Sequence, residues 1–477
     1  MNRFGKILKQ IAYGLLAIVF WIFVWHFLAQ KIDNVIFLPT PKQTFKALFD
    51  ICGRKEFKII VWSSFFRIFK GFILAIIIGV AIAIIAYFIK LIDILISPLM
   101  KLIKAVPVAS FIILALLWIN SKDLATLISF MMVLPIVYIN LLQALKNVDE
   151  NMLEIVKVFN VNLYRRIRFI YMPNILPALI AACKIGLGFS FKAGIAAEII
   201  GLPMNSIGWE LYQSKLYLMT EEMFAWTVVI IFISIFIEGI CIYLLNRFSE
   251  KILKFNNFKP SKRDNTILRS ETDNAAKKEI ELNNISKSYG KEQVLKNVNI
   301  TFNSDEPVCI MGESGVGKTT LTRIILGLTK PDSGSLKNLS KLKTTVVFQE
   351  DRLIENVDIY TNLYCALGNK FTKISVDKHL KELGLEGEGN KIVKELSGGM
   401  KRRVAVIRAI LTDSDIIILD EAFKGLDEKN KDITIEYVKK YCKNKILILV
   451  THDISECEKF GGKIEVLDGG SKKCGHE

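Results

Sequence analysis

Val308-Cys-Ile-Met-Gly312-Glu-Ser-Gly-Val-Gly317-Lys318-Thr319-Thr320 decides how this chain is read. A short apolar run with strand character enters a loop bearing Gly312, Gly315 and Gly317, and a helical run, Thr320–Leu326, leaves it. The pattern G-x-x-x-x-G-K-[ST] between a strand and a helix is a phosphate-binding loop. Glycines let backbone N–H groups approach phosphate oxygens, and the N-terminus of the following helix adds positive potential. Lys318 is placed to neutralise β/γ-phosphate charge and Thr319 to bind Mg²⁺. Ser314 and Thr320 complete the cradle.

Downstream, Ile416-Ile-Ile-Leu419-Asp420-Glu421 is a buried strand ending in two carboxylates. Asp420 is suited to hold Mg²⁺ through water, and Glu421 to polarise the attacking water as general base. One carboxylate at a strand end is ordinarily just solvated, but a pair following a phosphate loop has a chemical use. Strand-like runs at Val308–Met311, Thr345–Phe348, Ile416–Leu419 and Ile446–Val450 alternate with helical stretches, which predicts an α/β layout on a mainly parallel sheet.

Between these elements stands Leu396-Ser397-Gly398-Gly399-Met400, and here the sequence resembles the ATPase subunit of ABC transporters, whose signature reads LSGGQ. The resemblance covers Glu279–Leu467, with the elements in family order. It implies that Tyr289 stacks on adenine, that Gln349 forms the Q-loop and contacts the metal, and that His452 is the switch histidine. Gly425-Leu426-Asp427 matches the D-loop. Met400 replaces the usual Gln and leaves the Ser-Gly-Gly phosphate contacts available. Lys424-Gly425 replaces a small Ser-Ala pair, and the Lys318-to-Ser397 interval is short, which implies a reduced helical subdomain. In the family, the signature of one ATPase caps ATP on the phosphate loop of another. One set of motifs per chain therefore implies a homodimer holding two ATP molecules with Mg²⁺.

The first half of the chain reads differently. The 477 residues exceed one ordinary domain, 51% of them are hydrophobic, and the mean hydropathy is +0.36, which excludes a disordered or mainly soluble chain. Of the net charge of +16, residues 1–255 carry +12 (26 basic against 14 acidic), together with all 6 Trp. Apolar runs at Ile11–Ala29, Gly71–Phe88, Val106–Ile119, Leu124–Leu142, Ile175–Ile200 and Phe224–Leu245 predict about six spans. The first run lacks the small-residue cleavage site of a signal peptide. Basic residues before the first span, between the second and third, between the fourth and fifth, and after the sixth orient both ends to the cytoplasm. Lys31–Lys70 conflicts with this, being rich in basic residues on the outer side. The positive charge reflects topology, so nucleic acid is not an expected partner. The 8 Cys and 4 His form no metal or disulfide pattern.

The chain thus reads as an all-α polytopic membrane domain over residues 1–255, importer-like, fused through a flexible linker at 256–278 to an α/β P-loop ATPase domain at 279–477. Between the fourth and fifth spans, Glu154-Ile-Val, Asn160 and Ile170-Tyr-Met-Pro173 resemble the EAA loop of ABC importer permeases. Asn160 stands at a Gly position, and Asn tolerates left-handed backbone. The resemblance implies that this loop docks beside Gln349. Phe37-Leu-Pro-Thr-Pro41, Ala105-Val-Pro-Val-Ala109 and Ala196-Ala-Glu-Ile-Ile-Gly201 look like nitrate/sulfonate/taurine-type permeases, which implies an extracytoplasmic binding protein, a small anionic or polar solute, and a prokaryotic cytoplasmic membrane. Lys184, Lys192, Glu198 and Glu238 lie within spans and either line a pathway or pair and snorkel. An exporter half-transporter shares the domain order but lacks the EAA-like loop. A non-transporting ATPase that signals across the membrane would carry a larger outer segment than Gln30–Lys58.

Overall fold

A computed structural model describes residues 3–253 and 277–467; the linker segment, but for its last two residues, lies outside the described residues, as does 468–477. The chain forms two compact units, Met1–Asn147 with Asn174–Ile252, and Val148–Pro173 with Leu253–Glu477.

In the first unit, Arg3–Ile32, Phe57–Phe88, Ser121–Lys146, Met172–Gly201 and Thr220–Leu253 are long helices. Among the described residues, five helices are long and apolar enough to cross a membrane. The expected third span, Val106–Ile119, is not a straight helix. Lys90–Ala105 and Val108–Ala115 meet at a bend of 103°, and only counting this pair as one span brings the number to six. The cause is Pro107, which lacks an N–H and drives the preceding residue out of helical angles. Val106 (φ −69°, ψ 131°) and Pro107 (φ −60°, ψ 129°) are both extended.

Helix Ser121–Lys146 is the most buried of the long helices and packs closely on Phe57–Phe88. A Cβ on Gly71 would lie 2.2 Å from the Thr126 carbonyl oxygen, so only glycine permits that approach. The basic stretch Lys31–Lys70 is not one loop. It contains helix Pro41–Cys52 and the start of Phe57–Phe88. Two of its cations are neutralised, Arg54 by Glu222 at 2.6 Å and Arg67 by Glu198 at 3.4 Å. Glu198 is fully buried, and also accepts bonds from Ser64 Oγ at 2.7 Å and the Gly208 N–H at 3.3 Å. Its role is structural pairing.

The second unit holds two sheets. Strands β1 (Glu279–Tyr289), β2 (Glu292–Asn303) and β4 (Ser333–Lys337) form an antiparallel sheet ordered β2-β1-β4, which no sequence pattern announced. Strands β3 (Val308–Met311), β5 (Thr344–Val347), β6 (Ile416–Asp420), β7 (Ile446–Val450) and β8 (Lys463–Val466) form the parallel sheet β5-β6-β7-β3-β8. The runs β6 and β7 are buried throughout, as both faces of a helix-covered parallel sheet must be. Because these strands run in one direction, Gly312, Gln349, Asp420 and His452 all emerge from the same edge, the edge where such sheets bind ligands.

Candidate functional site

The phosphate loop leaves β3 and ends at Gly317, the N-cap of helix Lys318–Ile325, with φ +102°. No side chain caps that helix, so its first N–H groups are free to meet an anion. A Cβ at Gly317 would fall 2.7 Å from Leu295 and 2.9 Å from Val294, whereas one at Gly315 would meet open space. Lys318 Nζ curls over the loop, donating to the carbonyl oxygens of Gly312 (2.6 Å) and Glu313 (2.8 Å). An open helix N-terminus, a glycine cradle and a lysine poised above it fit a polyphosphate. Ser314 and Thr319 are exposed and Thr320 half-buried on this loop and the first turn of its helix.

Asp420 is buried at the end of β6, and burial together with the adjoining Glu421 pushes its carboxyl up to about 6, against the pull of Lys318. The buried Asp420 carboxylate at the end of β6, the Thr319 hydroxyl on the first turn after the phosphate loop and the Gln349 amide after β5 offer oxygen donors of the kind that suit Mg²⁺ shared with phosphates. Glu421, just past the end of β6, adopts φ +47°. Its carboxylate accepts from Gln349 Nε2 at 3.2 Å and from Lys424 Nζ at 2.8 Å, and His452 Nδ1 stands 3.8 Å away. Burial tends to raise the Glu421 carboxyl, but Lys424, His452 and Gln349 outweigh it and hold it below the usual carboxylate range.

Ser397 lies elsewhere in the unit, as the N-cap of helix Gly398–Leu411, its Oγ accepting from the Met400 N–H. Among the described residues, no hydrogen bond joins Ser397, Gly398 or Gly399 to the phosphate loop. Gly399 instead faces Leu426, and Asp427 caps helix Glu428–Tyr441, accepting from Asn430. Tyr289, at the end of β1, is half exposed, with Lys287 Nζ 5.6 Å from its ring centre.

Several residues of this architecture escaped the sequence reading. Arg402 is buried and donates to the carbonyl oxygens of Phe348 (2.6 Å) and Gln349 (2.5 Å). Arg408 does the same for Arg352 (2.8 Å) and Asp351 (3.1 Å), so helix Gly398–Leu411 fixes the Gln349 segment. Lys431 binds Asp453 (2.6 Å) and Glu456 (3.0 Å), holding the turn that carries His452. The signal available was Arg402, Arg403 and Arg408, with Lys401, on a helix whose second half is apolar apart from Arg408; their partners were not readable.

Residues 148–173 belong to this unit. Glu154, on helix Glu150–Val158, is clasped by Arg323 Nη2 and Arg352 Nη1, each at 2.5 Å. Arg323 lies on the helix behind the phosphate loop, and Arg352 follows Gln349 by three residues. Arg165 Nη1 donates to the carbonyl oxygen of Cys365 at 2.6 Å, at the C-terminal end of helix Ile359–Leu367. Asn160 takes φ +47°, and Pro173 lies in the first turn of Met172–Gly201, after a π-helical turn, Ile167–Tyr171.

Fold and site together define a P-loop ATPase carried on a polytopic helical membrane domain. Residues 295–424 match the family described as ABC transporter, and residues 71–254 match the binding-protein-dependent transport system inner membrane component. The phosphonates import ATP-binding protein PhnC of Fusobacterium nucleatum is 34% identical over 220 residues, 40% of this chain and 89% of that protein. The spermidine/putrescine import ATP-binding protein PotA of Spiroplasma citri is 39% identical over 210 residues, of which the chain spans 59% of the relative's length. Among solved structures, the ATP-binding cassette MJ0796, dimeric and bound to ADP and Pi, is similar at 32% identity, covering 40% of this chain and 95% of that one, with a TM-score of 0.36. The chain belongs to the ABC transporter family and unites an importer-type permease and its ATPase in one polypeptide. It hydrolyses ATP, with Mg²⁺ as the partner ion, to drive transport.

Proposed function

We propose that two copies of the chain form an ATP-driven importer in the cytoplasmic membrane of a prokaryote, taking up a small solute delivered by an extracytoplasmic binding protein. The membrane domain is residues 1–255, the connecting segment 256–278 and the cytoplasmic ATPase 279–477. The observation that carries this reading is the Glu154 clasp. A loop between two membrane helices is gripped by the helix that ends the phosphate loop and by the segment bearing Gln349. Nucleotide state at one end is thereby tied to helix movement at the other.

In this reading Lys318, the glycines Gly312, Gly315 and Gly317, and the hydroxyls of Ser314 and Thr320 bind the phosphates, while Tyr289 faces the adenine. Thr319, Asp420 and Gln349 would hold Mg²⁺, which when bound would supply positive charge against the phosphates. Glu421 takes a proton from the attacking water, and His452, 3.8 Å away, orients that carboxylate. Ser397, Gly398, Gly399 and Asp427 serve the site of the second copy, consistent with their having no bond to the phosphate loop of their own chain. Asn160 and Pro173 shape the ends of the coupling segment.

The sign of the solute's charge is not carried by the ATPase: the two relatives are named for phosphonates and for spermidine/putrescine, anions and cations respectively. The test is purification of the full chain in lipid nanodiscs, with particle mass and ATPase rate measured on the same sample. Two chains per particle and a rate that collapses on dilution to monomers are expected. Monomers hydrolysing ATP at the full rate would overturn the reading.

A further inference from the structure

Helix Met172–Gly201 is two-sided. Gly186, Ser190, Gly194 and Glu198 recur every four residues and are buried. A Cβ on Gly186 would lie 3.0 Å from Val133, and one on Gly194 would lie 2.6 Å from Ile68 and 2.8 Å from Ser129 Oγ. That side is therefore locked against helices Phe57–Phe88 and Ser121–Lys146. Lys184, Gly188 and Lys192 stand two positions earlier in the same four-residue rhythm, about 200° round the helix, on the opposite side. Both lysines are exposed, and a Cβ at Gly188 would meet nothing within 4 Å.

Among the described residues, neither lysine has a hydrogen bond or ion pair. Glu198 is committed to Ser64, Arg67 and Gly208. Glu238, on Thr220–Leu253, is half-buried and pairs with neither. Lys184 sits about 18 Å from the start of the helix and Lys192 about 14 Å from its end. Both therefore fall within a hydrocarbon layer of about 30 Å, where an unpaired cation facing lipid is costly. Thr220–Leu253 exposes Ile231, Phe232, Ile235, Phe236 and Ile240 with no cation among them, whereas on Met172–Gly201 the exposed Ile185 and Phe189 stand on one flank of the stripe of Lys184, Gly188 and Lys192.

We propose that Lys184, Gly188 and Lys192 line the aqueous solute path, completed by a second copy of the chain, and select a small anion such as a carboxylate or phosphonate. The proposal rests on the homodimeric importer reading above and adds the sign of the cargo. Gly188 leaves room for the solute between two ammonium groups about 12 Å apart along the helix. Two copies bring four such cations together, a field that attracts an oxyanion and repels a polyamine.

The test needs no knowledge of the natural solute. Full-length K192C in lipid vesicles is treated with two water-soluble thiol reagents, the anionic sulfonatoethyl and the cationic trimethylammonioethyl methanethiosulfonates. Rates are corrected with a free small thiol and with the unsubstituted chain. Cys at 192 is expected to react, preferring the anionic reagent by about tenfold or more, the effect of one charge at about 12 Å in an intermediate dielectric. Adding K184Q should remove most of that preference, and F236C should stay unreactive. A residue 192 thiol as inert as that of F236C, a missing charge preference, or one indifferent to K184Q would each overturn the proposal. Particle mass and ATPase rate of the same K192C sample separate the two readings. A dimer that hydrolyses ATP but shows any of these results sinks only the anion path, whereas an active monomer sinks the importer dimer.

Discussion

Replacing Glu154 with Gln keeps the side chain's shape and removes its charge, which isolates the clasp on residues 148–173. The carboxylate meets two guanidinium groups, each at 2.5 Å, and is 15% exposed, against 33% for Arg323 and 13% for Arg352. A charge-assisted bond in a largely dry setting contributes about 1.5–3 kcal/mol, and an exposed ion pair under about 1 kcal/mol. The Arg352 arm belongs to the first kind and the Arg323 arm lies between the two. Because Gln retains one weaker acceptor bond, we expect a loss of about 2 kcal/mol, or about thirtyfold in the seating of the segment. Amide hydrogen exchange across Glu150–Val161 measures it: those amides should exchange about thirtyfold faster in E154Q, with ATP affinity unchanged. Burial tends to raise the Glu154 carboxyl, but both arginines overcome this and hold it below its ordinary value of 4.5. A depressed carboxylate stabilises at neutral pH and loses its effect only as pH falls through its own lowered pKa, so the wild-type and E154Q exchange rates should converge only in acid. Equal exchange rates for the two proteins at pH 7 would refute the claim that this carboxylate holds the loop.

E421Q should bind ATP normally yet hydrolyse it at least about a hundredfold more slowly in a single-turnover assay, the range expected for a lost general base. G317A must accept φ +102° and contacts of 2.7 and 2.9 Å, so it should cost about 1–3 kcal/mol in thermal unfolding, whereas G315A, at φ +91° in open space, should cost about 1 kcal/mol. Buried His379, its Nδ1 against the Tyr437 hydroxyl at 2.8 Å, has its pKa pushed down to about 4 by burial. The unfolded chain takes up that proton near pH 6.5 and the fold does not, so stability should fall by about 2 kcal/mol between pH 6.5 and 5. H379F should flatten that pH dependence of the melting temperature.

The candidate site was legible as a pattern because its chemistry is local. Three glycines, Lys318 and Thr319 follow one strand, Asp420 and Glu421 end another, and each pattern is complete within ten residues. Parallel strands then deliver Gln349, Glu421 and His452 to one edge without further instruction. The membrane helices were legible by length and apolarity, but their number was not. Pro107 reads equally well as a tolerated kink or a break, and only the extended Val106 and the 103° bend decide it. Glu198, read as either pathway or pairing, is settled as a buried partner of Ser64 and Arg67.

By itself the sequence determined that a phosphate-binding α/β unit follows a set of apolar helices, since short-range spacing and side-chain polarity are written along the chain. The tertiary structure decided which charges meet. Arg323 and Arg352 converge on Glu154 from 169 and 198 positions away, and Arg402 reaches back 53 and 54 positions to the backbone beside Gln349. Such pairings depend on how whole elements approach each other, and ion pairs act over a few ångströms of space regardless of distance along the chain.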